Sequence, residues 1–282
     1  MIQQEFYVLG EYIRKSLIVI RGAGDLSSAC AVRLHRVGFP VVMLEISEPL
    51  VVRRTVSFAQ AVISGSTNVE GIKGERCLPD NALSTAESGV VAVVVDPEGE
   101  LIKKIKPLIV IDGIVAKKNF GTNRDMAPFT IALGPGFTAG EDVDAVIETK
   151  RGHSLGRVIY KGSALPNTGT AGMVGGYSTE RVLHADHKGI FHSVCKIGDI
   201  VQAGQIVGFV DDIPVRAKIN GKLRGLMADG LTVGGSFKVG DVDPRGEEAD
   251  HTTCSDKANA IAGGVLEAVF TFLAGSSCPT GW

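Results

Sequence analysis

The stretch over 17–45, LIVIRGAGDLSSACAVRLHRVGFPVVMLE, leaves few folds open. An apolar run over 17–20 leads into a tight turn, Gly22-Ala23-Gly24, and then into a helical pattern through Leu26, Ala29, Val32, Arg33 and Val37. Gly38 stops that helix, and 41–45 reads as a second strand closing on an acid. Strand, glycine turn, helix and strand in this order form the unit of a dinucleotide-type fold. Glycines let the backbone approach a phosphate, and a helix N-terminus offers free N–H groups and a positive dipole end. Gly22, Gly24 and the helix starting at Asp25 are therefore the expected phosphate contacts. Glu45 lies 21 residues after Gly24, close to the spacing of about 20 at which an acid meets ribose hydroxyls. Ser27 stands where a third glycine is expected. The alternative is a βαβ unit that binds nothing.

Downstream, Arg53-Arg54 interrupts an apolar stretch. Two adjacent guanidiniums can clamp a phosphate or carboxylate, or pair with Glu45 or Glu48. The runs over 90–95 and 108–112 read as buried strands, each followed by an acid or ending in one, Asp96 and Asp112. The strand end of an open α/β sheet is where ligands bind, although each acid also suits a helix cap or a turn. The apolar run over 129–133 opens into a second glycine loop bearing Gly134, Gly136, Thr138 and Gly140. It lacks the G-K-[ST] ending of a P-loop; it either wraps a ligand at the same sheet edge or is a compact interdomain turn. Glu148, Arg151 and His153 follow as a candidate acid/base and anion-binding cluster.

From about 155 the helical periodicity gives way to short β runs separated by glycine turns. A weak repeat lies among them: 198–201 with 207–208 matches 230–233 with 239–240 at a constant offset of 32 residues. The arrangement resembles the biotinyl/lipoyl-like hybrid fold, in which two similar β halves interlock. The tip between the halves, 210–214, carries no lysine, so a swinging prosthetic arm is not expected. His184, His187 and His192 suit a metal only if a helix or hairpin aligns them, and Asp186 and Gly189 point to a turn instead. A closing helix over 255–274 carries Gly263-Gly264, a pair that marks close helix packing. The expected architecture is α/β plus all-β: a Rossmann-like parallel-sheet domain over 17–150, joined to a barrel-sandwich hybrid domain over 151–250. An extension over 1–16, a helix over 251–275 packing back, and a tail over 276–282 complete it.

Composition narrows the partners. A net charge of −2 gives no electrostatic footprint for nucleic acid or an anionic membrane. No apolar run approaches the ~20 residues of a membrane span, and the first residues lack a signal-peptide pattern. The five cysteines include no C-x-x-C pair, which fits free thiols in a reducing cytoplasm, with Cys30 a buried small hydrophobe.

Several segments together resemble one family: Gly22-Ala-Gly-Asp-Leu, Arg33-Leu-His-Arg with Gly38-Phe39, Leu44-Glu45, Pro49-Leu50 with Arg53-Arg54, the loop over 132–140, Glu148-Thr with Arg151-Gly-His, and Gly263-Gly-Val-Leu-Glu. The chain resembles the selenium-dependent molybdenum hydroxylase system proteins of the YqeB type over roughly 17–275. Their Rossmann-like part is similar to that of XdhC-type maturation factors, which handle the molybdenum cofactor before its insertion. The resemblance implies an accessory or maturation protein that binds a phosphate-bearing, molybdopterin-type cofactor or nucleotide, with a molybdenum hydroxylase as partner. On this expectation Gly22, Gly24, Asp25 and Glu45 form one wall of the site, Arg53 and Arg54 offset charge, and 134–140 closes it. Two other readings stand beside it. One is an NAD(P)-dependent oxidoreductase with His153 as proton donor; the other is a non-catalytic scaffold with a vestigial nucleotide fold.

Overall fold

The computed structural model describes residues 10–167, 169 and 172–275; the expected tail over 276–282 lies outside them. The chain divides into two compact units, both discontinuous in sequence. The first takes in residues up to Ser47, Phe58–Asn167 and the segment from Cys254 onward; the second takes in Glu48–Ser57 and Thr168–Thr253. The boundary expected at 150 thus falls inside the first unit, and the helix expected over 251–275 belongs to that unit.

The first unit is built on a nine-stranded sheet. Its elements run β1 (Ile18–Arg21), α1 (Asp25–Arg36), β2 (Val41–Glu45), α2 (Gln60–Ser64), β3 (Ser66–Val69), β4 (Ile72–Arg76), α3 (Ala82–Glu87), β5 (Val91–Val95), α4 (Glu100–Ile105), β6 (Ile109–Asp112), β7 (Phe129–Leu133), β8 (Thr138–Ala139), β9 (Ala145–Ile147), β10 (Val158–Ile159) and β11 (Gly162–Ser163). The strand order is β10-β9-β7-β6-β1-β2-β5-β4-β3, while β8 and β11 pair separately. Strands β1, β2, β5, β6 and β7 are buried almost throughout, because both sheet faces are covered and their Val/Ile-rich runs carry little that is polar. The last helix, α5 (Asp256–Leu273), packs along α1, with Phe39 and Phe270 edge to face at 6.2 Å between centroids. Gly264 permits a close approach of α5 to the segment between β9 and β10: a Cβ on it would sit 2.0 Å from the Gly156 carbonyl oxygen. Gly263 faces open space, so only one glycine of the pair serves packing.

The second unit holds β12 (Val182–His184), β13 (Gly189–Ser193), β14 (Ile200–Val201), β15 (Ile206–Val210), β16 (Ile213–Arg216), β17 (Gly221–Leu226), β18 (Leu231–Val233) and β19 (Lys238–Asp243). They form two four-stranded antiparallel sheets, β12-β19-β17-β14 and β16-β15-β13-β18. The repeat of 32 residues is realised with an exchange. In its first copy β14 joins one sheet and β15 the other; in its second copy β18 and β19 join them the other way round. Leu183, Phe191, Val207, Leu223 and Val239 are among the side chains of its core.

The topology corrects the expected pairing of a Rossmann-like parallel-sheet domain with a barrel-sandwich hybrid. The large sheet is mixed: β3 runs antiparallel to β4 at one edge and β10 antiparallel to β9 at the other. The remainder is distributed over several antiparallel sheets. Alternating apolar runs reveal strands, but the edge hairpins are decided by pairing that no local pattern encodes. Among the described residues no helix is long and apolar enough to cross a membrane.

Candidate functional site

The ends of β1, β2, β6, β7 and β9 lie along one edge of the large sheet, because these strands pair in parallel. Strand order reverses at β1, which has β2 on one side and β6 on the other. Such a reversal opens a crevice at the strand ends of an α/β sheet.

The glycine turn sits at this point. Gly22 has φ +87°, and its amide donates to the Leu44 carbonyl at 2.7 Å. A Cβ there would come within 2.9 Å of the Ile114 nitrogen, so the turns after β1 and β6 touch. Ala23 is fully engaged: its amide donates to Glu45 Oε2 at 2.8 Å, and its carbonyl accepts from the Ala59 amide and the Ser28 hydroxyl. Gly24 precedes α1 as its cap residue and supplies no side chain, so the first amides of α1 have no side-chain acceptor. Ser27 is fully buried, and a Cβ on Gly113 would lie 2.5 Å from the Ser27 Cβ. The close approach that a third helix glycine would allow is thus provided from the other side, by a glycine after β6.

Glu45 is anchored by two amides, Ala23 to Oε2 and Ile46 to Oε1, each at 2.8 Å. Burial pushes its pKa above the ordinary glutamate value, and those two amides oppose the shift. An ionised carboxylate has about four acceptor positions, so two remain for ligand hydroxyls. Binding that uses them requires the ionised form. Affinity for a hydroxyl-bearing ligand should therefore fall on acidification, beginning above the usual glutamate range. Calorimetric titration from pH 8 to pH 4.5 checks this, and Glu45→Gln should flatten the profile; an equally steep profile in the variant would place the titration elsewhere.

Beneath the turn, Asp112, one of the two expected strand-end acids, belongs to a charged cluster with Arg21 and Thr122, which the sequence reading did not single out. Arg21, 3% exposed at the end of β1, donates to Thr122 Oγ1 at 2.5 Å and to the Phe120 and Pro97 carbonyls at 3.2 and 3.3 Å. Asp112 at the end of β6 accepts from Thr122 Oγ1 at 2.6 Å and from the Ile114 amide, with Arg21 at 4.0 Å. Burial pushes Asp112 upward, against Thr122, Ile114 and Arg21. The network holds the base of the loop over 113–122, whose outer part is strained: Val115 and Lys117 both have positive φ, +56° and +65°. Asp96, the other strand-end acid, caps α4 by accepting from the Gly99, Glu100 and Leu101 amides.

The other candidates are placed as follows. Gly134 packs on Thr149, where a Cβ would meet Oγ1 at 2.5 Å, and Gly136 packs on the Lys117–Lys118 backbone. The Thr138 amide donates to Asp142 at 2.7 Å and its hydroxyl meets Ser163 at 3.1 Å, while the Gly140 amide donates to the Val143 carbonyl. The loop after β7 is thus closed by its own contacts. Arg53 and Arg54 belong to the second unit, where they donate to the carbonyls of Thr253 and Leu226 at 3.3 and 2.8 Å. The oxygens of Glu45, in the first unit, accept from the Ala23 and Ile46 amides. Glu148 is buried and accepts from the Lys150 and Leu165 amides, Arg151 forms a bidentate pair with Asp256 at 2.6 and 3.1 Å, and His153 is exposed.

Lys257 lies in the first turn of α5. It is half-buried, and the charges acting on its ammonium are Arg151, Asp25, Glu148 and Asp256. In sequence it is one lysine in a polar helix start, and nothing local marks it. The thiol of Cys30, on α1, is pushed up to about 12 by burial and by Cys254, which makes it an inert packing group. In the second unit His187 faces Asp211 at 3.5 Å and His192 faces Asp229 at 3.6 Å, each as a separate pair.

Comparison with known proteins gives one strong sequence match. The chain is 52% identical over 258 residues to "Uncharacterized protein YqeB" of Escherichia coli (strain K12). The match takes in 91% of this chain and 48% of that protein, so the chain spans about half the length of the relative it matches. No protein-family model matches. Solved structures align weakly. An aspartoacylase family protein from Mesorhizobium loti covers 80% of this chain and is itself covered over 84%, at 13% identity and a TM-score of 0.23. A succinylglutamate desuccinylase/aspartoacylase from Rhodobacter sphaeroides has the same coverage at 15% identity and a TM-score of 0.26. The product-bound ectoine utilization protein EutE (DoeB) from Ruegeria pomeroyi matches at 11% identity and 0.22, over 80% of this chain and 57% of that one. Likenesses at this level carry no argument about function.

Proposed function

The chain is a YqeB homologue, and from that premise we propose that its first unit binds a phosphate-bearing cofactor or nucleotide at the turn after β1. We place it as an accessory protein of a selenium-dependent molybdenum hydroxylase system. The observation that carries the binding proposal is the uncapped start of α1 behind Gly24, next to a carboxylate fixed on the Ala23 amide. Amides at a helix start favour phosphate, and a fixed carboxylate favours hydroxyls. Ile46, Ile114 and Phe120 are exposed apolar side chains on the segments that follow β2 and β6, and they offer a heterocycle an apolar contact. The molybdopterin assignment rests on the sequence resemblance. Glu45 favours a second reading, an NAD-type dinucleotide, since its carboxylate would accept ribose hydroxyls and repel a 2′-phosphate.

The test is a ligand screen of the purified protein by thermal shift and native mass spectrometry, with NAD(H), NADP(H), CTP, ATP and molybdopterin. A ligand at 100 times its Kd stabilises the native state by about 2.7 kcal/mol. Molybdopterin should raise the melting temperature, and Gly24→Glu should remove the shift by setting a carboxylate against the phosphate. If NADH stabilises and the pterin does not, the maturation reading loses its binding basis. Undiminished binding by Gly24→Glu would move the site away from this turn.

A further inference from the structure

The strand ends of the large sheet divide by charge. On one side of β1 lie the segments after β6 and β7, over 113–122 and 134–137, and the turn from β9 into β10, over 149–157. Together they hold Lys117, Lys118, Lys150, Arg151 and Arg157, all exposed, and no aspartate or glutamate. On the other side of β1, the segments after β2 and β5 bring Glu45, Asp96 and Glu98 instead. The net charge of the chain is −2, so the basic side is a local feature and not the average of the surface.

The three basic-side segments touch. A Cβ on Gly136 would lie 2.7 Å from the Lys118 amide nitrogen, and one on Gly134 would lie 2.5 Å from Thr149 Oγ1, so the loop after β7 bridges the other two. Glu148 fixes the third segment. Its carboxylate accepts from the Lys150 and Leu165 amides at 2.7 and 2.8 Å, its amide donates to the Arg157 carbonyl, and its carbonyl accepts from the Gly156 amide. Glu148 is buried, so the acid that shapes this turn is directed inward while the cations stay outside. Arg151 is already paired with Asp256 through both guanidinium nitrogens. Among the described residues, Lys118 and Lys150 form no ion pair. The Lys118 ammonium lies 4.5 Å from the centroid of the Phe120 ring.

Like charges gathered on one rim raise its potential and attract a partner of opposite sign. The dimensions select the kind of partner. From β6 to β9 is two strand spacings, about 10 Å. An extended chain at ~3.3 Å per residue matches that span with acids about three residues apart, whereas a lone carboxylate or phosphate uses one end of it. A single-stranded nucleic acid fits less well, because it needs open aromatic faces for its bases. Phe120 is the exposed phenyl ring of these segments, and Lys118 covers one of its faces. We propose that this rim docks an acidic segment of a partner protein, laid extended across the ends of β6, β7 and β9, with Lys118 and Lys150 as its charged contacts. Glu45, Asp96 and Glu98 repel such a segment from the other side of β1 and so fix where it lies. The inference is independent of what the turn after β1 binds.

The experiment uses the full chain and a fluorescein-labelled Glu/Ser peptide, followed by anisotropy at low and rising salt. Wild type should bind the peptide, and binding should weaken as salt rises. Lys118→Glu combined with Lys150→Glu should weaken it at least tenfold. Lys188→Glu combined with Lys196→Glu, the same charge change at exposed lysines of the second unit, should alter it less than twofold. No binding by wild type, binding indifferent to salt, or an equal loss in both double variants overturns the proposal. Tighter binding of a labelled oligothymidylate than of the peptide assigns the rim to nucleic acid and overturns the partner class. A salt-sensitive dimer in sedimentation that the Lys118/Lys150 variant lacks gives the rim to a second copy of the chain, which also overturns it. Should that variant not fold, acetylation of the wild type decides. The peptide should slow labelling of Lys118 and Lys150 several-fold but not of Lys188, and uniform or absent protection overturns the assignment.

Discussion

Arg21→Met should destabilise the first unit by about 3–5 kcal/mol, the range for removing one partner of a buried ion pair. Arg21 is one of the few charged side chains in this unit's interior, and its guanidinium serves Thr122, Phe120, Pro97 and Asp112 together. Methionine fills much of the space but leaves two carbonyls without a donor and Asp112 without a counter-charge. Calorimetry should show the melting temperature lowered by about 10 °C, at roughly 2–4 °C per kcal/mol for units of this size. Hydrogen exchange should rise first in the loop over 113–122, since Arg21 holds its base. Adding Asp112→Asn should return part of the loss, because the second change removes the stranded charge. A loss below about 1 kcal/mol, typical of a surface pair, would mean that the loop is held without Arg21, by the Asn119 side chain, which donates to the Thr122 carbonyl and accepts from its amide, each at 2.8 Å.

Asp241→Ala should have an effect of similar size on the second unit, again about 3–5 kcal/mol. Asp241 is buried on β19 between Arg181, with which it forms a short ion pair, and Arg224, whose Nη2 lies 2.7 Å away. Asp243, two residues on, accepts from Arg224 and Arg245. Removing Asp241 leaves Arg181 and Arg224 facing each other with Lys238 nearby. The same network sets an acid limit. Although burial opposes it, Lys238, Arg224 and Arg181 hold Asp241 below the ordinary value of 3.8, and Arg245 and Arg224 do the same for Asp243. Carboxylates lowered on folding stabilise fully above their unfolded pKa, and that stability drains as pH falls through the folded one. Wild type should therefore lose stability steeply below about pH 4, and Asp241→Ala, already weakened at neutral pH, should show a shallower slope. Parallel acid profiles would assign the acid limit to other carboxylates.

Much of the glycine-turn unit was legible because its signals are local: an apolar run, two glycines, a 3.6-residue period and an acid at a fixed distance. The close packing at Gly263-Gly264 was legible for the same reason, although only Gly264 serves it. What escaped is long-range. Arg21 reads as a polar end to an apolar run, and its partners lie 76 to 101 residues away in sequence. Ser27 looks like a missing glycine until Gly113 is found opposite it. Arg53-Arg54 is conspicuous in sequence as a pair, but its bonds to the carbonyls at 253 and 226 are not legible there. In the glycine loop at 134–140, Gly134 approaches Thr149 and Gly136 the Lys117–Lys118 backbone, partners that the loop's own sequence does not reveal. The mixed edges of the large sheet and the pairing of the smaller ones depend on register, which composition and period leave open.

The division of the chain into interleaved pieces has a consequence for how the protein is made. The first unit needs α5 to cover α1, and α5 is translated after every residue of the second unit. During synthesis from the N-terminus, the second unit has all its strands available while the first still lacks a helix. The unit that begins first is therefore completed last. Until then the nascent chain carries the apolar face of α1, with Cys30 on that helix, open to the surroundings, as unfinished domains do. The packing of α1 is therefore completed only when α5 has emerged.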